Sequence, residues 1–523
     1  MGETNTGTRA GRIIAVVMVL LILLTRGMTL THNRELHPDE HVFHLAADSL
    51  SDRLLGRSPT FQEVKSYPEG AIVLQVPFHM LASLAGEKAP DSQMVGRIAS
   101  VIYFTLGALL LLRLFRRYFD SRPVSGGILA LLLTFSLLHI EQSRYGTGDA
   151  VSFFLLAWIL LLCGGSLRAG RESSFAPLFL AAFLTGVLCA VKYPLLFFFC
   201  LPAAAAARKR GKGWLWNWRT LVMVLLAAGG FLLCSPKLVQ DPFPYLYHLI
   251  ARETHDYIRY GNLCEVGGVF NHLLSLGVYF LLYSGLPLAP LFLLPAGKRE
   301  SGDETEDEVF FFRRVLPWAL GVFFVYNLFA RSLFMRTYYP FFALADLYVA
   351  AGAGEWFRRS RGRRSCVVIL ALLLVIRGGW NIAAMTERQG ARRLDALVAS
   401  AADEGWRRTT LLEPGYFLPL DAAALKAPAE ADLLYDEARE LEFGELVITA
   451  TQAHCRCAHY ILPIRHPTAE LLIRRWDDFR ALNGAYYRGS VYPEYYYWLF
   501  GFWVKGTTGT DYEFPTNSVY YRP

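Results

Sequence analysis

The sequence predicts a polytopic α-helical membrane protein carrying a smaller α/β unit, and three observations predict it. The 523 residues are 54% hydrophobic and only 19% charged, more apolar and less charged than ordinary soluble domains. The apolar residues gather into runs such as "IIAVVMVLLILL", "GILALLLTFSLL" and "FAPLFLAAFLTGVLCAVKYPLLFFFCLPAAAAA". Runs of about 18 or more with few charges are long enough to cross a bilayer. The basic residues fall between runs, in the clusters 113–117, 168–171, 208–212, 297–299 with 313–314, and 358–364. Short basic clusters stay cytoplasmic and orient the chain, so the net charge of +7 implies no nucleic-acid partner.

Threading the runs between those clusters places spans near 12–30, 95–115, 124–141, 150–167, 174–191, 194–207, 219–235, 269–294, 314–331, 337–354 and 364–380, about eleven in all. No small-residue cleavage site follows the first run, which reads as an uncleaved span. The run 70–86 would break the parity if it crossed. Gln75, His79 and Ser83 form one polar stripe on it, which fits a helix lying on the outer surface, with Pro77 as a kink. The cytoplasmic N-terminus then puts 31–94, the "EQSRYGTGD" turn of 141–149, the 236–268 loop and everything past 380 outside. Two domains follow: a membrane part, 1–380, and an outer α/β domain, 381–523. In the latter "TTLLEP" and "LVITAT" read as strands and "RRLDALVASAADEG" as a helix. The tyrosine-rich tail offers an aromatic surface. The acidic "SGDETEDE" (301–308) reads as a solvated cytoplasmic loop.

Cys163, Cys189, Cys200, Cys234 and Cys366 sit in apolar runs as small hydrophobes. Cys264, Cys455 and Cys457 lie outside them, too few for a disulfide framework. No "GxxxxGK[ST]" or "GxGxxG" nucleotide signature occurs.

The chemistry-bearing stretch is "ELHPDEHVFHLAADSL", directly after the first span. Proline and acids in a first turn are ordinary helix-start chemistry. On a helix from Pro38, at about 100° per residue, His37, His41, His44 and Asp48 share a stripe with Glu40 near it. Val42, Phe43, Ala46 and Leu50 form the opposite face, with Asp39 in its middle. A carboxylate aimed at a packed face needs a cation, a donor or a wet cavity, so Asp39 is expected to line a cavity at the outer membrane interface. His41 and His44, one turn apart, leave open a divalent metal; the alternative is a wet helix face. Glu141, Arg144 and Asp149 belong to the outer 141–149 turn, Lys192 to the outer end of its run, and Arg331 and Arg336 to a later outer turn. His248, Arg252, His255 and Asp256 add to the same level. A carboxylate among cations there suits transfer of a sugar from a polyprenyl phosphate: the phosphate leaves with negative charge and needs cations, and the acceptor hydroxyl needs a base.

These motifs, in order, resemble the GT-C fold glycosyltransferases. The match is nearest to the protein O-mannosyltransferase and aminoarabinose transferase group, over roughly residues 10–380. They are "HPDE" after the first span, "YPEG" opening a juxtamembrane helix, "SRYGTGDAVSFFLL", "KYP" and "RTYYPFFALADLYVAAG". The resemblance implies a polyprenyl-phosphate sugar donor (undecaprenyl or dolichyl), an extracytoplasmic protein, lipid or glycan acceptor, and no required cofactor. It implies an enzyme of the plasma (inner) membrane, with Asp39 as catalytic base and Glu40 as the neighbouring acid of the motif. Asp149 matches a second acidic position and Lys192 a carrier-phosphate contact; Tyr67 and Glu69 of "YPEG" are further substrate contacts. The aminoarabinose enzymes carry a lysine in the motif aligned with "YPEG", where this chain has Glu69 or its neighbours. Lys65, Arg144, Arg331 and Arg336 are the candidate replacements. Three other readings remain: an oligosaccharide transferase or ligase on the same fold, a transporter, which favours internal repeats and midplane ionisable groups, and a non-catalytic scaffold that displays the outer domain.

Overall fold

In the computed structural model, the described residues are 3–32, 38–57, 68–85, 92–168, 174–214, 216–251, 273, 305–329 and 335–386, together with seven strands between 408 and 521. The helices are α1 (Glu3–His32), α2 (Pro38–Leu54), α3 (Gly70–Leu84), α4 (Ser92–Tyr118), α5 (Pro123–Phe135), α6 (Leu137–Arg144), α7 (Asp149–Arg168) and α8 (Ala176–Val191). After a 3-10 segment, Tyr193–Phe199, come α9 (Cys200–Arg210), α10 (Trp218–Leu233), α11 (Pro236–Gln240), α12 (Pro242–Ala251), α13 (Glu306–Leu328), α14 (Met335–Arg359) and α15 (Arg361–Thr386).

Among the described residues, four helices are long and apolar enough to cross a membrane: Arg9–Leu30 within α1, α4, α7 and α13. The bent pair α5–α6 makes a fifth. The expected spans 174–191 and 219–235 coincide with the shorter apolar helices α8 and α10. The last two coincide with α14 and α15, while 269–294 lies, apart from residue 273, outside the described residues. Large aliphatic side chains stand exposed along these helices, among them Leu20, Leu24, Leu221, Leu225, Ile369 and Ile376. Such surface is a liability in water and is normal against lipid. The chain is a polytopic membrane protein.

The break between α5 and α6 shows how the bundle handles irregular backbone. The two helices meet at 55°, with Ser136 extended at φ −65°, ψ 130°. Carbonyls freed at such a break need donors, because lipid offers none. Arg26 of α1 supplies them, donating to Leu133 O at 3.0 Å and Thr134 O at 2.5 Å, and to Ser143 Oγ of α6 at 2.9 Å. Its guanidinium also lies over the Phe104 ring, 5.1 Å from the centroid. The arginine is fully buried. It pins the bend, and with it all eight residues of α6, every one buried.

α3 has 15 residues, about 22 Å of helix against a hydrocarbon core of about 30 Å. Its polar stripe faces inward, contrary to the surface-helix expectation: Gln75 and His79 are buried, while Pro77, Leu81 and Leu84 are exposed. The reason lies in its partners: Asp48 of α2 bonds His79, and the Gly146 carbonyl after α6 accepts from Gln75. α3 also touches α8 backbone to backbone. A Cβ on Gly70 would stand 2.6 Å from the Ala190 carbonyl carbon and 2.7 Å from the Val191 nitrogen. Gly70→Ala is therefore expected to cost about 1–3 kcal/mol through forced overpacking, seen as a lowered melting temperature in detergent. Wild-type melting would mean that α3 shifts off α8 freely.

The described part of the acidic stretch, residues 305–308, opens α13 rather than lying in a solvated loop. Thr305 and Glu308 form a capping box, Glu308 is buried, and Asp307 pairs with Arg208 at 2.7 Å. Beyond residue 400, β1 (Arg408–Leu412), β2 (Ala429–Asp432), β3 (Glu445–Thr451), β4 (Tyr486–Val491) and β7 (Thr516–Tyr521) make a mixed sheet in the order β2-β1-β3-β7-β4. β1 runs parallel to both β2 and β3, and β7 antiparallel to β3 and β4, with Ile448 opposite Val519. β5 (Glu494–Leu499) and β6 (Phe502–Thr507) form a hairpin. The two strands expected from the sequence are β1 and β3. The expected helix at "RRLDALVASAADEG" lies outside the described residues, as do Cys264, Cys455 and Cys457. The five described cysteines are buried or half-buried and free.

Candidate functional site

One end of the bundle gathers the start of α2, the starts of α3, α4 and α7, and the ends of α6 and α8. α2 begins at Pro38, as the helical-face argument requires, which puts Asp39 and Glu40 in its first turn. The side chains of Asp39 and His41 lie outside the described residues. Glu40 is fully buried and held on three sides. Arg97 of α4 grips it bidentately, Nε to Oε1 at 2.8 Å and an Nη to Oε2 at 2.9 Å. The Gly146 amide donates to Oε1 at 2.8 Å, and the Gln93 side chain to Oε2 at 3.3 Å. Charge-assisted, bidentate pairs of this kind are the strong ones.

The turn between α6 and α7 is shorter than the sequence suggested, because Glu141 and Arg144 are helical residues of α6, buried in the bundle. Only 145–148 turns. Gly146 packs closely there: an added Cβ would stand 3.2 Å from the Gly96 backbone and 3.4 Å from Glu40 Oε1. Gln75 of α3 donates to the Gly146 carbonyl at 2.9 Å. Tyr145, also buried, has Arg97 and Arg144 over its ring at 5.9 and 4.5 Å, and Arg144 donates to its hydroxyl.

Asp149 opens α7, and Lys192 caps the end of α8; they form an ion pair. Thr147 donates to the other carboxylate oxygen at 3.1 Å. Asp149 is 2% exposed, while the Lys192 side chain keeps 23% of its surface. The lysine is therefore tethered by a buried acid and still reachable, rather than simply reaching for the interface.

The polar stripe of α2 meets that of α3. His79 bonds Asp48 at 2.8 Å, and this hydrogen bond holds the Asp48 carboxyl below its usual range. His44, expected on a wet face or as a metal ligand, is buried with Nδ1 3.2 Å from Ser92 Oγ. Among the described residues, no group of three or more His, Cys, Asp or Glu side chains could hold a metal ion. Glu69, just before α3, is buried and accepts the Lys237 amide of α11 at 2.9 Å. Burial pushes its carboxyl above the usual range against the opposing pull of that amide. Nearby, the hydroxyls of Tyr193 and Tyr245 meet at 2.5 Å. Arg336 lies in the first turn of α14 with its side chain outside the described residues; Tyr67, Lys65 and Arg331 lie wholly outside them.

Sequence reasoning missed Arg97, the grip on Glu40, and a second layer deeper in the bundle. There His139 of α6 bonds Asp346 of α14 at 2.8 Å and the Tyr339 hydroxyl at 3.1 Å. All three side chains are buried, which fixes α6 against α14.

No protein-family model matches the chain, and no curated protein matches it. Solved structures do. The crystal structure of ArnT from Cupriavidus metallidurans bound to undecaprenyl phosphate matches with a TM-score of 0.50 at 14% identity, covering 86% of this chain and 95% of that one. The apo ArnT structure gives 0.50 at 12% identity, covering 86% and 96%. The chain has the GT-C fold. The S. cerevisiae protein O-mannosyltransferase Pmt1-Pmt2 complex bound to the sugar donor also matches, at a TM-score of 0.34 and 15% identity over 49% of this chain and 38% of that one. The ArnT likeness spans 86% of the chain, so the GT-C fold accounts for more than the first few helices.

Proposed function

We propose that this protein is an inverting glycosyltransferase that moves a sugar from a polyprenyl phosphate to an acceptor hydroxyl on an extracytoplasmic protein, lipid or glycan. The observation that carries the reading is the Asp149–Lys192 pair, set on a GT-C bundle at the same end as the first turn of α2. The ArnT match is to a structure bound to undecaprenyl phosphate, which makes a polyprenyl phosphate the donor class to expect. Lys192, tethered yet reachable, is suited to the carrier phosphate, whose negative charge persists as it leaves. Asp39 takes the proton of the acceptor hydroxyl. The freed oxygen attacks the anomeric carbon as the carbon–oxygen bond to phosphate breaks, and polyprenyl phosphate departs. Glu40, gripped by Arg97 and Gly146, fixes the start of α2 and so the bearing of Asp39. Arg144 and Arg336 belong to the same end of the bundle, and Glu69 to the entry of α3. The reading puts this end, and the strand-bearing C-terminal region, outside the plasma (inner) membrane.

The test is a panel of polyprenyl-phosphate sugars offered to the full chain in nanodiscs with acceptor extracts. Free polyprenyl phosphate should appear, with the sugar's anomeric configuration inverted in the product. Turnover only with diphosphate-linked glycans, abolished by a chelator, would move the assignment to an oligosaccharide transferase. Turnover with no donor in the panel would overturn it.

A further inference from the structure

A second polar feature lies at the opposite end of the bundle, where α9 passes into α10. Residues 208–219 read "RKRGKGWLWNWR", with five cations, three tryptophans and no acid. Three of the cations crowd one phenyl ring: Lys209 Nζ, Arg210 Cζ and Arg219 Cζ stand 5.1, 5.2 and 4.7 Å from the centroid of Phe175. Each is attracted by the ring, but together they repel one another. Lys209 is buried, donating to Ser174 O at 3.2 Å and Ser166 Oγ at 3.4 Å. Burial, and then Arg210, hold its ammonium below the ordinary lysine range. Among the described residues neither Arg210 nor Arg219 pairs with an acid, and Asp307 at this end is taken by Arg208. An anion here would relieve the repulsion.

The tryptophans say which kind of anion. Trp216 is 95% exposed and Trp218 63%. They are held at the entrance of α10 by Asn217 between them, which caps the helix by accepting the Arg219 amide at 3.0 Å. Exposed indoles beside cations suit the headgroup layer, where a ring has apolar and polar surroundings at once. A soluble phosphate would use the cations and leave both rings in water. Ser166, which Lys209 touches, lies in the last turn of the 20-residue helix whose first residue is Asp149. That is about 30 Å, the thickness of a bilayer core, so the patch sits at the other membrane face from the Asp149–Lys192 pair.

We propose that Arg210, Trp216, Trp218 and Arg219 form a docking surface for anionic phospholipid headgroups, with Arg210 and Arg219 at the phosphate, Lys209 buried behind them, and Trp216 and Trp218 among the upper acyl chains. The inference stands apart from what is transferred at the other end. Each cation near an anionic surface contributes about fivefold in affinity, so R210Q/R219Q should retain phosphatidylglycerol about 30-fold more weakly than wild type in native mass spectrometry of the full chain. Phosphatidylcholine retention should be equal for both. A second measurement needs no charge variant. Brominated phosphatidylglycerol in mixed nanodiscs should quench wild-type tryptophan fluorescence more than brominated phosphatidylcholine does, and W216F/W218F should remove that difference. Equal quenching by the two lipids would overturn the proposal. So would loss of bound phosphatidylglycerol to excess inorganic phosphate, which would mark a small-anion site instead.

Discussion

Asp39→Asn is expected to lower turnover roughly 100- to 10,000-fold, the range that a positioned base contributes, while donor affinity changes by no more than about twofold. The amide keeps the size and much of the hydrogen bonding of the acid but cannot take a proton near neutral pH. Lys192→Ala should show the converse: weaker donor binding, because a cation facing the carrier phosphate is lost in ground and transition states alike. It also leaves Asp149, 2% exposed, without its cation, so a fall in activity could come from a disturbed α7 start. Lys192→Gln with Asp149→Asn keeps a hydrogen-bonded, neutral pair there and separates the two causes. Donor affinity in nanodiscs and single-turnover rates are the measurements. If Asp39→Asn transfers sugar at the wild-type rate, the base is elsewhere.

How much of this was readable in the sequence depends on which physical signal each residue carries. Spans announce themselves through sheer apolar length, so α1, α4, α7 and α13 were legible, although α13 begins at Glu306, within the acidic stretch read as a loop. The start of α2 was legible too, because proline followed by acids is a local signature. The direction of its faces was not. A polar stripe on one helix reads as a wet face unless a second polar stripe is known to oppose it. Here α2 and α3 bury their stripes against each other, His79 on Asp48, and α4 supplies Ser92 for His44 and Arg97 for Glu40. That pairing is a tertiary fact with no periodicity of its own. Arg26 and Asp346 left a clearer trace, since an ionisable residue within an apolar run is a functional or structural signal by default. The runs "LLTRGMTL" and "FFALADLYVA" contain them, but only the fold shows that one pins a broken helix and the other holds His139.

Glu40→Ala is expected to destabilise the protein by about 3–5 kcal/mol, the cost of leaving a buried partner charge uncompensated. The Arg97 side chain is 5% exposed and that of Glu40 wholly buried, so water cannot replace the lost carboxylate. Arg97→Ala should cost about as much, for the mirror-image reason. The double variant Glu40→Leu/Arg97→Met removes both charges and fills the space with apolar atoms, and replacements of that kind are often close to neutral. It should therefore melt well above either single variant in detergent, the signature of coupling between contacting residues. The Gly146 amide loses its acceptor in the double variant, which leaves a residual cost of about 1–3 kcal/mol. The same cycle decides what Glu40 does. An acid that only anchors α2 can be replaced, with its partner, at a modest loss of turnover. An acid that handles the acceptor proton cannot, and a double variant that is folded, binds donor and is inactive would return Glu40 to the catalytic pair with Asp39.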